Sequence, residues 1–119
     1  MSQPLRIAIS EEKGSVPVTV LYVTGDLDSK SYLDLESKAA EVIAGGVSKM
    51  VLDLSGVHFM GSAGLRAMHG ISSRLKNLGS EGQLKLAQPS DAVSRVMKTL
   101  GFDKFFDIHP SLDEAVKSF

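Results

Sequence analysis

Ser62 is the residue of this sequence best placed to do or receive chemistry. It lies in the stretch Val57-His58-Phe59-Met60-Gly61-Ser62-Ala63-Gly64-Leu65, with His58 before it and His69 after it. A serine nucleophile needs a base within hydrogen-bond reach and, on a strand-to-helix elbow, the pattern G-x-S-x-G. Met60 stands where the first glycine of that pattern belongs. Along a helix rising 1.5 Å per residue, His69 is about 10 Å from Ser62, too far to act as its base. Nothing in the sequence supplies an acid to orient His58. The run Gly61-Ser62-Ala63-Gly64 is also not followed by the Gly-Lys-Ser/Thr of a phosphate-binding loop. The expectation is therefore a protein that is not an enzyme, with no catalytic residue and no cofactor. The sequence has no cysteine, and its three histidines, His58, His69 and His109, lack the close spacing of a metal pair, so no metal site is expected. Asp53, inside an apolar strand, is expected to be a hydrogen-bonded strand-end carboxylate.

The elements that must position Ser62 follow from periodicity. Leu5 to Ser10 alternates apolar and polar residues and predicts a strand, followed by a turn over Glu11 to Ser15. Val16 to Thr24 predicts a second strand beginning in earnest at Val18, with a turn at Gly25-Asp26-Leu27-Asp28. Apolar residues at Tyr32, Leu35, Ala39, Val42 and Ile43 predict an amphipathic helix from Ser31 to Ala44. Ser31 and Asp34 offer a capping-box-like start, and Gly45-Gly46 a stop. Met50 to Leu54 reads as a buried parallel-type strand. The next helix is expected from Ser62 or Ala63 to Leu78, with Leu65, Met68, Ile71, Leu75 and Leu78 inward. A short strand over Gln83 to Ala87 follows. Then come a helix from Asp91 to Leu100, with Val93, Val96, Met97 and Leu100 inward, and an edge strand near Lys104 to Ile108. A last helix is opened by the S-x-x-E box of Ser111 and Glu114, with Leu112, Ala115, Val116 and Phe119 apolar. The order β-β-α-β-α-β-α-(β)-α predicts one α/β domain spanning residues 1–119. Its mixed sheet has four or five strands, with about four helices packed mainly on one face.

In that frame Ser62 falls on a β-to-α turn, the usual place for sites in α/β sheets. Its hydroxyl is placed to cap the helix, a local role worth about 1 kcal/mol that needs no further function. A helix start also suits a phosphoryl group. Unpaired amides and the positive end of the macrodipole favour an anion there, and phosphoserine adds about −1.5 to −2 charges at pH 7. Asp26 and Asp28, on the turn after a neighbouring strand, would set existing negative charge beside the new one. Met60 is a candidate partner contact, and Arg66, Arg74 and Lys76 make the outer face of the helix basic.

Composition sets the outer bounds. At 119 residues, 43% hydrophobic and a formal charge of −1, the chain is long and apolar enough for one folded domain, and its charges are interspersed. That balance predicts no direct nucleic-acid footprint. The N-terminus lacks a signal-peptide pattern and no apolar run approaches the roughly 20 residues of a membrane span, so a cytoplasmic protein is expected.

The chain resembles the STAS domains of bacterial anti-sigma-factor antagonists along nearly its full length. Thr24-Gly25-Asp26-Leu27-Asp28 is similar to that family's G-E-L-D turn, and Val51-Leu52-Asp53-Leu54-Ser55 to its V-L-D-L-S strand. Phe59-Met60-Gly61-Ser62-Ala63-Gly64-Leu65 is similar to F-M-D-S-S-G-L. Gln88-Pro89-Ser90 through Leu100-Gly101-Phe102-Asp103-Lys104-Phe105-Phe106 resembles the third helix and the edge after it. The resemblance implies a partner switch. Unphosphorylated, the protein would bind an anti-sigma factor that is a serine kinase and free the sigma factor. Phosphorylated at Ser62, it would release that kinase, and a serine phosphatase would reset it. The partner face implied is Asp26, Asp28, Met60, Gly61, Ser62, Ala63, Gly64 and Arg66, on a monomer or weak dimer. The chain departs from the family at Gly61, commonly Asp, and at Ala63, commonly Ser or Thr. The other reading the resemblance allows is a non-switching STAS-like scaffold or small subunit, in a stressosome-type or lipid-transport ABC assembly.

Overall fold

A computed structural model describes residues 3–119. Five strands form one mixed sheet in the order β1-β2-β3-β4-β5. β1 (Arg6–Lys13) pairs antiparallel with β2 (Pro17–Leu27), and β3 (Lys49–Met60), β4 (Gln83–Ala87) and β5 (Asp107–His109) add in parallel. The helices are α1 (Tyr32–Ala44), α2 (Ser62–Lys76), α3 (Asp91–Thr99) and the short α4 (Leu112–Lys117). α1, α2 and α3 cover one face, where Leu35, Ala39, Met68, Ile71, Leu75, Val93 and Met97 pack on Leu21, Met50, Leu52 and Leu86. α4 alone lies on the other face, with Ala115 and Val116 against Val18, Val20, Val51 and Ala87. The mixed sheet with helices mainly on one face is as the sequence predicts.

Several boundaries differ, each for a physical reason. β1 runs on to Lys13 because the hairpin register Lys13↔Pro17 leaves only three residues to turn. Gly25-Asp26-Leu27 is strand, not turn. Gly25 has φ +101°, a Cβ there would overlap the Pro4 carbonyl, and Asp26 N–H donates to Gln3 O at 3.1 Å. Ser31 precedes α1 but does not cap it. Its hydroxyl donates to Asp26 O at 2.8 Å, while Asp28 Oδ1 accepts from the N–H groups of Lys30 (2.9 Å) and Ser31 (3.2 Å). Leu78 and Leu100 lie beyond their helix ends and are exposed instead of inward. The edge strand falls at Asp107–His109, because Phe102–Lys104 takes a 3-10 turn first. Ser111 does cap α4, accepting from Glu114 N–H at 3.1 Å.

At the β4–β5 edge, Lys85 Nζ lies 2.6 Å from Asp107 Oδ2. That hydrogen bond holds the Asp107 carboxyl below its ordinary range, against an opposing push from partial burial and with a smaller contribution from His109. A lowered folded-state value stabilises the fold above the ordinary carboxyl pKa of about 3.9, and the gain is lost as pH falls through the lowered value. Asp107→Asn should therefore lower melting temperature at neutral pH, leave the acid end of the profile nearly unchanged, and so flatten the slope between them. The effect will be modest, because the carboxylate is 51% exposed and screened by water.

Candidate functional site

β3 is the element that delivers Ser62, and it is far longer than its apolar run suggests. Its pairing with β2 slips twice. Tyr22↔Asp53 is followed by Thr24↔Gly56, and Gly25↔Val57 by Asp26↔Phe59. Each slip gives β3 one residue more than β2, the signature of a bulge. The inward side chains accordingly step from Leu54 to Val57 to Met60, not every second residue, and Ser55, His58 and Phe59 face outward. The bulged part is pinned from the side by Ser90. Its Oγ donates to Val57 O at 2.7 Å and accepts from Val93 N–H at 3.3 Å as the cap of α3. Ser90→Ala removes both bonds, and urea titration should show a loss of about 1–2 kcal/mol.

Asp53 anchors the start of the bulged region. It is 3% exposed, with Oδ1 accepting from Ser55 N–H (3.0 Å) and Ser55 Oγ (2.7 Å) and Oδ2 from Gln88 Nε2 (2.8 Å). Both oxygens are thus occupied, Oδ1 within β3 and Oδ2 in bracing β3 to the chain after β4, as in a hydrogen-bonded structural carboxylate. Gln88 is held there at φ +52°, and its N–H donates to His109 O at 3.0 Å.

The turn into α2 is a single residue. Gly61, with extended backbone, is the N-cap, and its N–H donates to Leu27 O at 3.0 Å. Ser62 is therefore the first residue of α2 and not its cap. No side-chain bond caps this helix, which corrects the expected capping role of its hydroxyl. A glycine N-cap offers no side-chain oxygen, and although Gly61 O accepts from the Gly64 N–H at 3.0 Å, the amides of Ser62 and Ala63 ahead of it stay available to an anion. A Cβ on Gly61 would meet only the Phe59 ring, at 3.5 Å in ordinary van der Waals contact, so the backbone here does not require glycine for space.

The expected partner face divides. Ser62 and Arg66 are exposed on successive turns of α2, and Gly61 and Ala63 are half-buried beside them. Asp26 and Asp28 are half-buried on the neighbouring strand end, which the Leu27↔Met60 pairing brings alongside the turn. Asp26 Oδ2 accepts from Gln3 N–H at 3.0 Å, and Asp28 Oδ1 is tied into the α1 start, so each carboxylate is partly committed within the chain. Met60 and Gly64 are buried and cannot meet a partner. Met60 points into the core at 2% exposure because of the second bulge, and a Cβ on Gly64 would come within 2.9 Å of Leu27 Cγ and Met60 Cγ. The residue that the bulge turns outward in place of Met60 is Phe59, 53% exposed.

Three further residues share the Ser62 surface and escape a linear reading. His69, Leu100 and Phe102 line one cleft of about 340 Å³ with Ser62, Leu65 and Arg66. Leu100 and Phe102 arrive from the end of α3, and the signal for them is Gly101, whose left-handed backbone turns the chain back. Among the described residues, no group of three or more His, Asp or Glu is arranged to hold a metal ion. No helix of the described residues is long and apolar enough to cross a membrane.

The fold is shared with known proteins. Residues 8–115 match the STAS domain family model. The chain is 28% identical over 118 residues to the anti-sigma-F factor antagonist RsfB of Mycobacterium tuberculosis, covering 98% of this chain and 92% of that protein. It superposes on the crystal structure of an anti-sigma factor antagonist from Mycobacterium paratuberculosis with a TM-score of 0.84 at 29% identity, covering 97% and 93% of the two chains. The fold is also that of the anti-sigma factor antagonist SpoIIAA in its unphosphorylated form (TM-score 0.71, 21% identity, 93% of this chain and 95% of that one).

Proposed function

This chain belongs to the STAS domain family, and from that premise we propose that it is an anti-sigma-factor antagonist working by partner switching. Unmodified, it binds an anti-sigma factor that is also a serine kinase, through the surface of Gly61, Ser62, Ala63 and Arg66 with Asp26, Asp28 and the exposed Phe59 around it. Phosphorylated on Ser62, it lets that partner go, and a serine phosphatase returns it to the binding form. It binds and is modified; it turns over no substrate, and its setting is the cytoplasm, where sigma factors act.

The observation that carries the reading is the position of Ser62: exposed, first in a helix of 15 residues, behind an N-cap that offers the amides no side-chain acceptor. A kinase can reach such a hydroxyl, and the helix start can hold the product without refolding. The names of the relatives point the same way, RsfB and the Mycobacterium paratuberculosis protein both being called antagonists of anti-sigma factors. The Bacillus protein SpoIIAA has been solved in a phosphorylated form as well.

The direct test is incubation of the intact chain with the kinase-type anti-sigma factors of its own organism and ATP, followed by intact-mass and peptide mass spectrometry. One phosphoryl group is expected, on Ser62, and none on the Ser62→Ala chain. Stable complex formation with no phosphorylation by any of them would replace the switch with the constitutive scaffold reading.

A further inference from the structure

α2 is the most one-sided element of the molecule in charge. From Ser62 to Lys76 it carries Arg66, His69, Arg74 and Lys76 and no carboxylate, in a chain whose net charge is only −1. Among the described residues, neither Arg66 nor Arg74 takes part in an ion pair. The carboxylate that does approach α2, that of Glu36, packs against Gly70 from the α1 side. On the α3 side, the cleft below Arg66 and His69 has an apolar floor and wall of Leu65, Leu100 and Phe102. Leu100 is 52% exposed there although it directly follows α3, and Phe102 is stacked on Phe106 with ring centroids 6.4 Å apart. A fixed apolar slot under an unpaired arginine, with Ser62 at its mouth, has the form of a recognition groove: apolar area for affinity and charge for choice.

We propose that this cleft docks an acidic amphipathic helix of the partner. One or two large apolar side chains would enter between α2 and Leu100–Phe102, and a flanking carboxylate would pair with Arg66. The charge of the slot selects this occupant. An apolar segment flanked by lysines would meet Arg66 and His69 with like charge, whereas one flanked by carboxylates meets an arginine that is in no ion pair among the described residues. The inference rests on the switch reading only in placing the partner on the Ser62 face, and it gives that switch a mechanism. A phosphoryl group on Ser62 lies one helical turn from Arg66, within the spacing at which side chains on a helix meet. It would occupy that arginine and put negative charge at the mouth of a groove chosen for acidic ligands.

The test uses two synthetic peptides of about 18 residues, long enough to hold helix, with leucines along one face and either glutamates or lysines flanking them. Each is titrated into the isotope-labelled intact chain by NMR, unphosphorylated and phosphorylated on Ser62. The glutamate peptide should bind the unphosphorylated chain at least tenfold more tightly than the lysine peptide, with shifts centred on Leu65, Arg66, His69, Leu100 and Phe102. Arg66→Glu should invert that preference, and Leu100→Ser, at an exposed position, should weaken the glutamate peptide severalfold without lowering the melting temperature. Equal binding of the two peptides, binding of neither at millimolar concentration, or shifts confined to another face would overturn the groove. Undiminished glutamate-peptide binding by the phosphorylated chain would leave the groove standing and remove the switch.

Discussion

Phosphorylation of Ser62 should weaken binding of the kinase-type partner by more than tenfold while leaving the melting temperature within a degree or two of the unmodified chain. Two parts of the geometry set these expectations separately. Inside the domain, the new charge sits on the first residue of α2, where the macrodipole and the uncapped amides favour an anion by about 0.3–1 kcal/mol. The fold therefore has no reason to open. Outside it, the same charge faces whatever carboxylates a partner brings to Arg66 and the cleft beside it. Two unit charges about 8 Å apart repel by roughly 2 kcal/mol at an effective dielectric near 20, which exceeds the 1.4 kcal/mol of a tenfold change. Ser62→Asp should reproduce part of the loss, since it supplies one charge without the reach of a phosphoryl group. Ser62→Ala should bind like the unmodified protein. It sacrifices no cap, because the Ser62 hydroxyl makes no capping bond in the structure. Calorimetric titration of the four forms against the partner, with thermal melts alongside, checks both halves. Equal affinities would reduce Ser62 to a surface residue of a constitutive binding module.

How far this site was legible in the sequence depends on local period. α2 and β4 can be read almost to the residue, because Leu65, Met68, Ile71 and Leu75 keep a helical spacing and Gln83–Ala87 is bounded by Gly82 and Pro89. β3 cannot be read past Leu54. Its two bulges change the inward spacing from two residues to three, so Val57 and Met60 fall out of step with Met50, Leu52 and Leu54. That single irregularity explains why Met60 looked available to a partner and Phe59 did not. The apparent turn at Gly25–Leu27 has a similar origin. The type of residue there suits a turn, but Gln3 supplies backbone partners from a distance no local window spans. The cleft was hidden for a third reason: Leu100 and Phe102 join Ser62, Leu65 and Arg66 only after α3 has folded back over the sheet.

The largest stability effect near the site should come from Leu27, and it should be coupled to Gly64. Leu27 is fully buried at the end of β2, its carbonyl receives the Gly61 N–H, and its side chain lies where a Gly64 Cβ would point. Truncating a leucine in such a position costs about 2–5 kcal/mol, from lost apolar transfer and the cavity left behind. Leu27→Ala should therefore lower the urea midpoint by the largest margin of any substitution around the Ser62 turn. Gly64→Ala acts in the opposite sense, adding volume where none is free. Its Cβ would stand 2.9 Å from Leu27 Cγ, 2.9 Å from Met60 Cγ and 3.0 Å from Leu27 Cδ2. All three are side-chain atoms of tightly packed residues, so about 1–3 kcal/mol of overpacking strain is expected, tempered by the better helix propensity of alanine. The double variant should lose less than the sum of the two, because the methyl group that Gly64→Ala introduces would enter the space that Leu27 vacates. A coupling of about 0.5–3 kcal/mol is the range for residues in direct contact. Urea titrations of the four proteins measure it, and strict additivity would mean that α2 does not rest on the end of β2 through this pair. The same cycle bears on recognition, since Gly64 lies two residues after Ser62 and fixes how closely α2 approaches the strand ends. Gly64→Ala should consequently weaken partner binding even where the domain remains folded, and Leu27→Ala in the same chain should restore part of it.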